Sequence, residues 1–205
     1  MAIKKTTSKI WETAQSWEKN WHHNQQFNSF NEEVKQYIYA SKMNLDPYKT
    51  NYFGIKGWDF GDKTIIDIGG SGQSILLKCK AKKRVVVDPI LPSDWMLKRY
   101  NEAGIKFVHA KAEDYIAEEV FDISLIYNIL QHVQNIKKTI NNIKEYSKNI
   151  HVFEWIDQGI SPGHIHDLKE EKLNKWLGGE GKVEYLNQNP CVGRVYYGIF
   201  LGGKK

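Results

Sequence analysis

The chain has 205 residues, 41% of them hydrophobic and 26% charged, which suits one globular domain with a sizeable core. Its formal charge is +5, but Arg84, Arg99 and Arg194 are the only arginines and the lysines are scattered. The composition therefore argues against nucleic acid as a partner, because base and phosphate recognition favours arginine's planar fork. No run of about 18 apolar residues could span a membrane, so no membrane association is expected. No apolar stretch follows Lys4 and Lys5 as a secretory leader would require, and the cytoplasm is the expected location.

The elements follow in order. Residues 1–50 read as a helical cap of two helices. Ile10, Ala14, Trp17 and Trp21 recur at i, i+4, i+7 and i+11, which is one helical face. Ser29-x-x-Glu32 has the form of a capping box. Val34, Tyr37, Ile38 and Leu45 make the next apolar stripe, which Asp46-Pro47 should end. Residues 51–62, with Gly54, Gly57 and Gly61, read as a loop.

Strands and helices then alternate. The strands are predicted near 63–68, 84–88, 105–109, 121–127 and 149–156. The helices are predicted near 73–82, 93–103, 113–119, 132–147 and 167–177, with Asp167 placed to cap the last. Cys79 would be a core residue of the first helix. The basic run Lys78 to Arg84 would close it, where the macrodipole favours cations. Cys79 and Cys191 have no metal-site spacing. The alternation implies a parallel sheet with right-handed crossovers. Lys182–Gln188 and Arg194–Leu201, joined through Asn189-Pro190-Cys191, read as a terminal antiparallel hairpin. One domain is expected over 1–205: the cap over 1–50 and a core over 60–205.

The stretch that carries chemistry is Ile65-Ile66-Asp67-Ile68-Gly69-Gly70-Ser71-Gly72, a buried strand ending in an acid and breaking into a glycine-rich turn. The strand Val85-Val86-Val87 ends in a second acid, Asp88. A strand, a small-residue loop and a second strand with a terminal carboxylate form a nucleoside-binding half-site. The dinucleotide pattern G-x-G-x-x-G fails, because Ser71 and Ser74 stand at the later glycine positions. Asp67 would repel a pyrophosphate but hold an ammonium group, directly or through water. The ligand read from this turn is cationic and lacks phosphates there; S-adenosylmethionine (SAM) fits.

At these residues the chain resembles the class I SAM-dependent methyltransferases. Asp67 to Gly72 looks like their glycine-rich first motif, Asp88 like their ribose-binding acid, and Ala112-Glu113-Asp114 like their adenine-contacting segment. Phe121 to Val133 looks like their fourth strand and the turn after it. The ordered set spans roughly residues 60–160. Ser71 and Gln73 depart from it at positions often held by glycine. The resemblance implies a three-layer αβα sandwich, a mostly parallel seven-stranded Rossmann-like sheet ending in an antiparallel hairpin. It also implies SAM as the cofactor, bound by Asp67, Gly69, Gly70, Ser71, Asp88, Glu113, Asp114 and Asn128.

The reaction so implied is in-line methyl displacement onto a small-molecule or sugar-like acceptor. Such chemistry needs alignment and exclusion of water, and a base only where the acceptor is a hydroxyl. Polar groups after the fourth and fifth strands are the candidates: Asn128, Gln131 and His132, then Glu154, Asp157, His164 and His166. His132 is the leading general base. Trp21 and His164 are the candidate acceptor contacts, with His22 and His23 beside Trp21 at the end of the first helix. His164-x-His166 with Glu154 is a weak metal alternative, since no third ligand is set by spacing, and no metal is expected. RNA or protein methylation and a non-catalytic SAM-binding domain remain alternatives. A nicotinamide enzyme stands further off, and no N/D-P-P-Y-like tetrad follows Tyr127.

Overall fold

The computed structural model describes residues 8–24, 29–43, 48–50, 55–70, 73–188 and 191–203. Ser71 and the turns expected at Asp46-Pro47 and Asn189-Pro190 lie outside these, as do Leu45 and the side chains of Trp21, His22, His23, Ser29 and Glu32. Two helices, α1 (Ser8–Asn24) and α2 (Ser29–Lys42), open the chain as predicted. Short strands β1 (Tyr48–Thr50) and β2 (Ile55–Asp59) follow, then β3 (Thr64–Ile68), β4 (Cys79–Lys80) and β5 (Lys83–Asp88). Beyond them come α3 (Asp94–Glu102), β6 (Lys106–His109), β7 (Phe121–Tyr127), α4 (Ile136–Glu145) and β8 (Ser147–Trp155). The chain closes with α5 (Glu170–Leu177), β9 (Lys182–Gln188) and β10 (Cys191–Leu201).

Seven strands form one sheet in the order β6-β5-β3-β7-β8-β10-β9. The pairings from β6 through β8 are parallel, and β10 runs antiparallel to both β8 and β9. The expected mostly parallel sheet with its reversed C-terminal strand is therefore present. Its central strands are continuous apolar runs because helices cover both faces. Ile66, Ile68, Val85, Val87, Ile126 and Val152 pack with Ile140 and Ile143 of α4 and Leu173 of α5. Ile65, Val86, Leu125 and Phe153 pack on the opposite face with Tyr39 of α2, Met43 just after it, and Met96 and Tyr100 of α3. None of the described helices is long and apolar enough to cross a membrane.

Four local expectations are corrected. The helix expected at 73–82 is a single 3-10 turn, Ile75–Lys78, followed by β4. The Arg84 guanidinium takes the carbonyls of Leu76 (3.2 Å) and Cys79 (2.6 Å), and Lys80 pairs with β2, so the acceptors a longer helix would need are occupied. The basic run at 78–84 thus ends no α-helix, although Cys79 is buried in the core. Glycine-rich residues 51–62, read as loop, contribute β2 to a small β1-β2-β4 sheet.

The helix expected at 113–119 is only a turn at 112–114. Asn142 Nδ2 donates to the carbonyls of Ala112 (2.8 Å) and Tyr115 (2.7 Å), which compete with helical bonding. Finally, α1 is rotated from its predicted face. Trp11 and Ala14 are buried, whereas Ile10 and Trp17 are 53% and 43% exposed.

The chain runs from β3 outward to β5 and β6, then returns to place β7 on the other side of β3. That reversal leaves a crevice beyond the C-terminal ends of β3 and β7, where open α/β sheets receive ligands.

Candidate functional site

Successive side chains of a strand alternate faces. With Ile66 and Ile68 committed to the α4/α5 layer, Asp67 projects into the opposite layer at the strand's end and is only 4% exposed. Burial pushes its carboxyl up to about 7, opposed by a hydrogen bond from Ser74 and reinforced by the charge of Asp88. Ser74 Oγ donates to Asp67 Oδ2 at 2.5 Å and accepts from the Leu76 N–H at 3.1 Å. The Tyr100 hydroxyl accepts from the Ser74 N–H (3.1 Å) and donates to the Gly70 carbonyl (2.6 Å), tying the turn to α3.

The two described glycines of this turn have separate reasons. Gly69 has φ +84, and a Cβ there would overlap Ile129 Cγ2 and stand 3.0 Å from Ile129 Cβ. A Cβ on Gly70 would overlap Asp67 Oδ2 and stand 3.1 Å from Ser74 Cβ. Asp88 ends β5 with 6% exposure, its Oδ1 accepting from the Ile90 N–H at 2.7 Å.

Beyond β7 the chain turns sharply at Asn128, φ 60, a left-handed conformation that asparagine tolerates better than most residues. Its N–H bonds the Phe153 carbonyl (2.7 Å) and its Oδ1 accepts from Gln131 Nε2 (2.7 Å). The N–H groups of Ile129 and Leu130 both donate to Glu154 Oε1 at 3.0 Å. Glu154 is fully buried and its Oε2 has no hydrogen-bond partner. Burial pushes its carboxyl up to about 8, against those two backbone bonds and the charge of His132.

His132 Nδ1 lies 2.9 Å from the Gly163 carbonyl and 3.2 Å from Glu18 Oε1 on α1. Burial opposes its charge, but Glu18, Glu154 and that carbonyl together hold its pKa above the ordinary histidine value. The His164 ring meets it edge-on, centroids 4.9 Å apart. Burial first, then the charge of His132, lowers the pKa of His164. Trp11 Nε1 donates to the His132 carbonyl at 3.2 Å, so α1 is tied twice to the turn after β7. Gly163 permits this seat: a Cβ there would stand 2.6 Å from Glu18 Oε1 and 2.8 Å from the Trp17 ring.

These groups enclose a cavity of about 550 Å³. It is lined by Asp67, Gly69, Gly70, Asp88, Glu113, Asn128, Gln131, His132 and His164, nine of the sequence candidates, with side chains of α1 and α2 covering it. Three buried polar atoms of lining residues have no partner: Gln15 Oε1, Gln73 Oε1 and the Tyr127 hydroxyl. Buried polar groups are nearly always satisfied, so these three fit a polar ligand.

Asp114, expected beside the cofactor, does not line the cavity; it is largely exposed and pairs with Lys138 at 2.8 Å. Glu113 accepts from the Asn135 N–H (3.0 Å) at the start of α4 as well as lining the cavity. His166 bonds the Val133 carbonyl (2.7 Å), away from His164. Among the described residues no group of three or more His, Cys, Asp or Glu could hold a metal ion. Asp157 pairs with Lys169 and Arg194 at 2.6 and 2.5 Å. Asp167 accepts from the Gly159 N–H (3.1 Å), while Lys169 takes the N-cap of α5 that was expected of Asp167.

Sequence reasoning missed Glu18, Ser74, Tyr100 and Tyr127. Only Glu18 had a local signal, as an acid inside the aromatic stretch Trp17-Glu18-Lys19-Asn20-Trp21.

The sheet order, the reversed strand and the crevice at the β3/β7 switch define the class: this is the fold of the class I SAM-dependent methyltransferases. The 1,6-didemethyltoxoflavin-N1-methyltransferase of Burkholderia thailandensis matches with TM-score 0.63 at 11% identity, over 100% of this chain and 92% of that one. The N-methyltransferase NodS of Bradyrhizobium japonicum WM9 matches with TM-score 0.57 at 11% identity, over 86% and 98%. The cyclase SpnF also matches, with TM-score 0.52 at 15% identity, over 73% and 57%. At these identities the likeness is one of fold. No family model matches the chain, and no curated protein matches it in sequence.

Proposed function

We propose that this protein is a SAM-dependent methyltransferase acting on a small molecule, with α1 and α2 closing its acceptor side. The observation that carries this reading is the pair of buried carboxylates, Asp67 and Asp88, at the ends of neighbouring strands in one cavity beside a glycine turn. Asp67 is a buried carboxyl group without a cation among the partners that set its pKa, so it suits the ligand's ammonium group, against which it can ionise. Asp88, held by the Ile90 N–H, suits the ribose hydroxyls. Asn128 and Glu113 complete the cofactor side. Ser71 belongs to the same assignment through the motif alone.

When bound, SAM supplies a methyl carbon already activated by positive sulfur. The chain has to orient the acceptor and exclude water, which the α1 seat on the turn after β7 and the aromatic lining of the cavity do. The small-molecule methyltransferases that share the fold support an acceptor of that kind. The reading extends to the cytoplasm as the place of action and to 1–205 as one functional unit.

Asp88→Ala tests the assignment. Loss of a charge-assisted acceptor is expected to weaken SAM about 10- to 100-fold in calorimetric titration. Unchanged affinity would remove Asp88 from the site. The match to a cyclase favours one second reading, a SAM-fold protein that moves no methyl group. Tight binding of SAM with no methylated product from any acceptor would favour that reading.

A further inference from the structure

Resting on the methyltransferase reading, we infer that Glu18 is a positioning residue that makes Nε2 of His132 the basic atom, and that the acceptor presents a protonated oxygen on an aromatic ring. His132 Nδ1 faces two oxygens, the Gly163 carbonyl at 2.9 Å and Glu18 Oε1 at 3.2 Å. A carbonyl and a carboxylate can only accept, so Nδ1 carries the proton in both charge states. The unprotonated nitrogen, which carries the lone pair, is then Nε2. That atom lies 3.4 Å from the Gln131 amide, whose nitrogen also bonds Asn128 Oδ1, on the side of the turn where all three residues line the cavity.

A base of this construction has work only for some acceptors. A neutral amine or a thiolate attacks a methyl sulfonium without one; a hydroxyl does not. In the step so assigned, the acceptor oxygen bonds to the methyl carbon as the donor's S–C bond breaks and its electron pair stays on sulfur. The hydroxyl proton passes to His132 Nε2, and the Glu18 carboxylate offsets the new imidazolium charge before the proton leaves to solvent. Trp11, Trp17, Tyr39, Tyr127 and Trp155 line the same cavity, and flat aromatic walls match a flat acceptor. The ionisable groups around His132 are Glu18 on α1, Glu154 on β8, and His164 and His166 in the segment after β8. Of these only Glu18 meets the Nδ1 atom.

The test begins without turnover. Nitrogen-15 NMR of the histidine rings, in the protein with and without S-adenosylhomocysteine, reads the tautomer and pKa of His132. The expected neutral tautomer is Nδ1–H, and Glu18→Gln is expected to lower the His132 pKa by about one unit or more. An Nε2–H tautomer in the unaltered protein, or an unchanged pKa in a folded Glu18→Gln variant, would overturn the assignment. The acceptor class is read with labelled SAM and the matched pair 1-naphthol and 1-naphthylamine. Label is expected in the naphthol, and about 100-fold less of it with His132→Asn, whereas any labelling of the amine should not depend on His132. No label in the naphthol, or naphthol labelling that survives His132→Asn, overturns the hydroxyl assignment.

With the naphthol, the rate should rise with pH as His132 loses its proton. Glu18→Gln should move that rise to lower pH and depress its plateau; a purely structural role would depress the plateau alone. Absence of S-adenosylhomocysteine binding would instead sink the cofactor reading, leaving the tautomer and pKa results to stand by themselves.

Discussion

Asp67→Asn is expected to stabilise the ligand-free protein at pH 8 while weakening SAM binding by about 100-fold, the upper end for one charge-assisted hydrogen bond. Both effects come from one carboxylate buried without a cation. Its folded pKa is raised, from 3.8 to about 7. Between those values the folded state keeps a proton that the unfolded chain has released, so stability falls as pH rises through that window. The penalty is complete above pH 7, where a rise of about three units corresponds to about 4 kcal/mol. Asparagine removes the charge, and a gain of about 2–4 kcal/mol is expected at pH 8, shrinking towards zero near pH 4. Glu154 acts in the same direction up to about pH 8, so urea titrations of both proteins at several pH values isolate the Asp67 share. A variant that loses stability at pH 8, or binds SAM as before, would contradict the assignment.

Gly69→Ala is expected to lower stability by about 3 kcal/mol, from an unfavourable positive φ together with overpacking. The added Cβ has no room, because Ile129 fills the space and is itself fixed through its N–H to Glu154. Relief would require moving either the turn after β3 or the turn after β7, the two walls of the cavity floor. Loss of SAM binding should therefore accompany the loss of stability. For a chain of this size the expected drop in melting temperature is about 6–12 °C. Unchanged melting and binding would mean that the two turns are not packed as described.

The sheet could be read in advance because its strands are short apolar runs bounded by acids and turns, and both periodicity and length point to buried parallel strands. Asp67 and Asp88 were legible for the same reason, each being the polar residue at the end of such a run. What failed did so where a side chain claims a backbone acceptor. Arg84 takes the carbonyls that would have extended the 3-10 turn, and Asn142 takes those that would have made a helix after Ala112. Asn142 lies 30 and 27 residues from the carbonyls it takes, outside any local window; Arg84 lies only 8 and 5 residues from its own, but apolar periodicity does not encode a side chain that folds back on them. The face of α1 was misread because periodicity counts apolar residues, whereas this helix turns Gln15 and Glu18 to the cavity beside Trp11. The pairing of Glu18 with His132 and of Ser74 with Asp67 is created by the fold, and Ser74 had registered only as a missing glycine.

Asp67 and Asp88 should make the cavity a binding site for a cationic nucleoside. Calorimetric titration of the purified protein with SAM, S-adenosylhomocysteine and NAD tests it most directly, run at pH 6 and pH 8 in buffers of different ionisation enthalpy. The account predicts binding of both adenosyl ligands in the micromolar range, none of NAD, tighter binding of SAM at pH 8, and proton release at pH 6 as Asp67 ionises against the ammonium group. Binding of NAD, or no binding of either adenosyl ligand at both pH values, would contradict it.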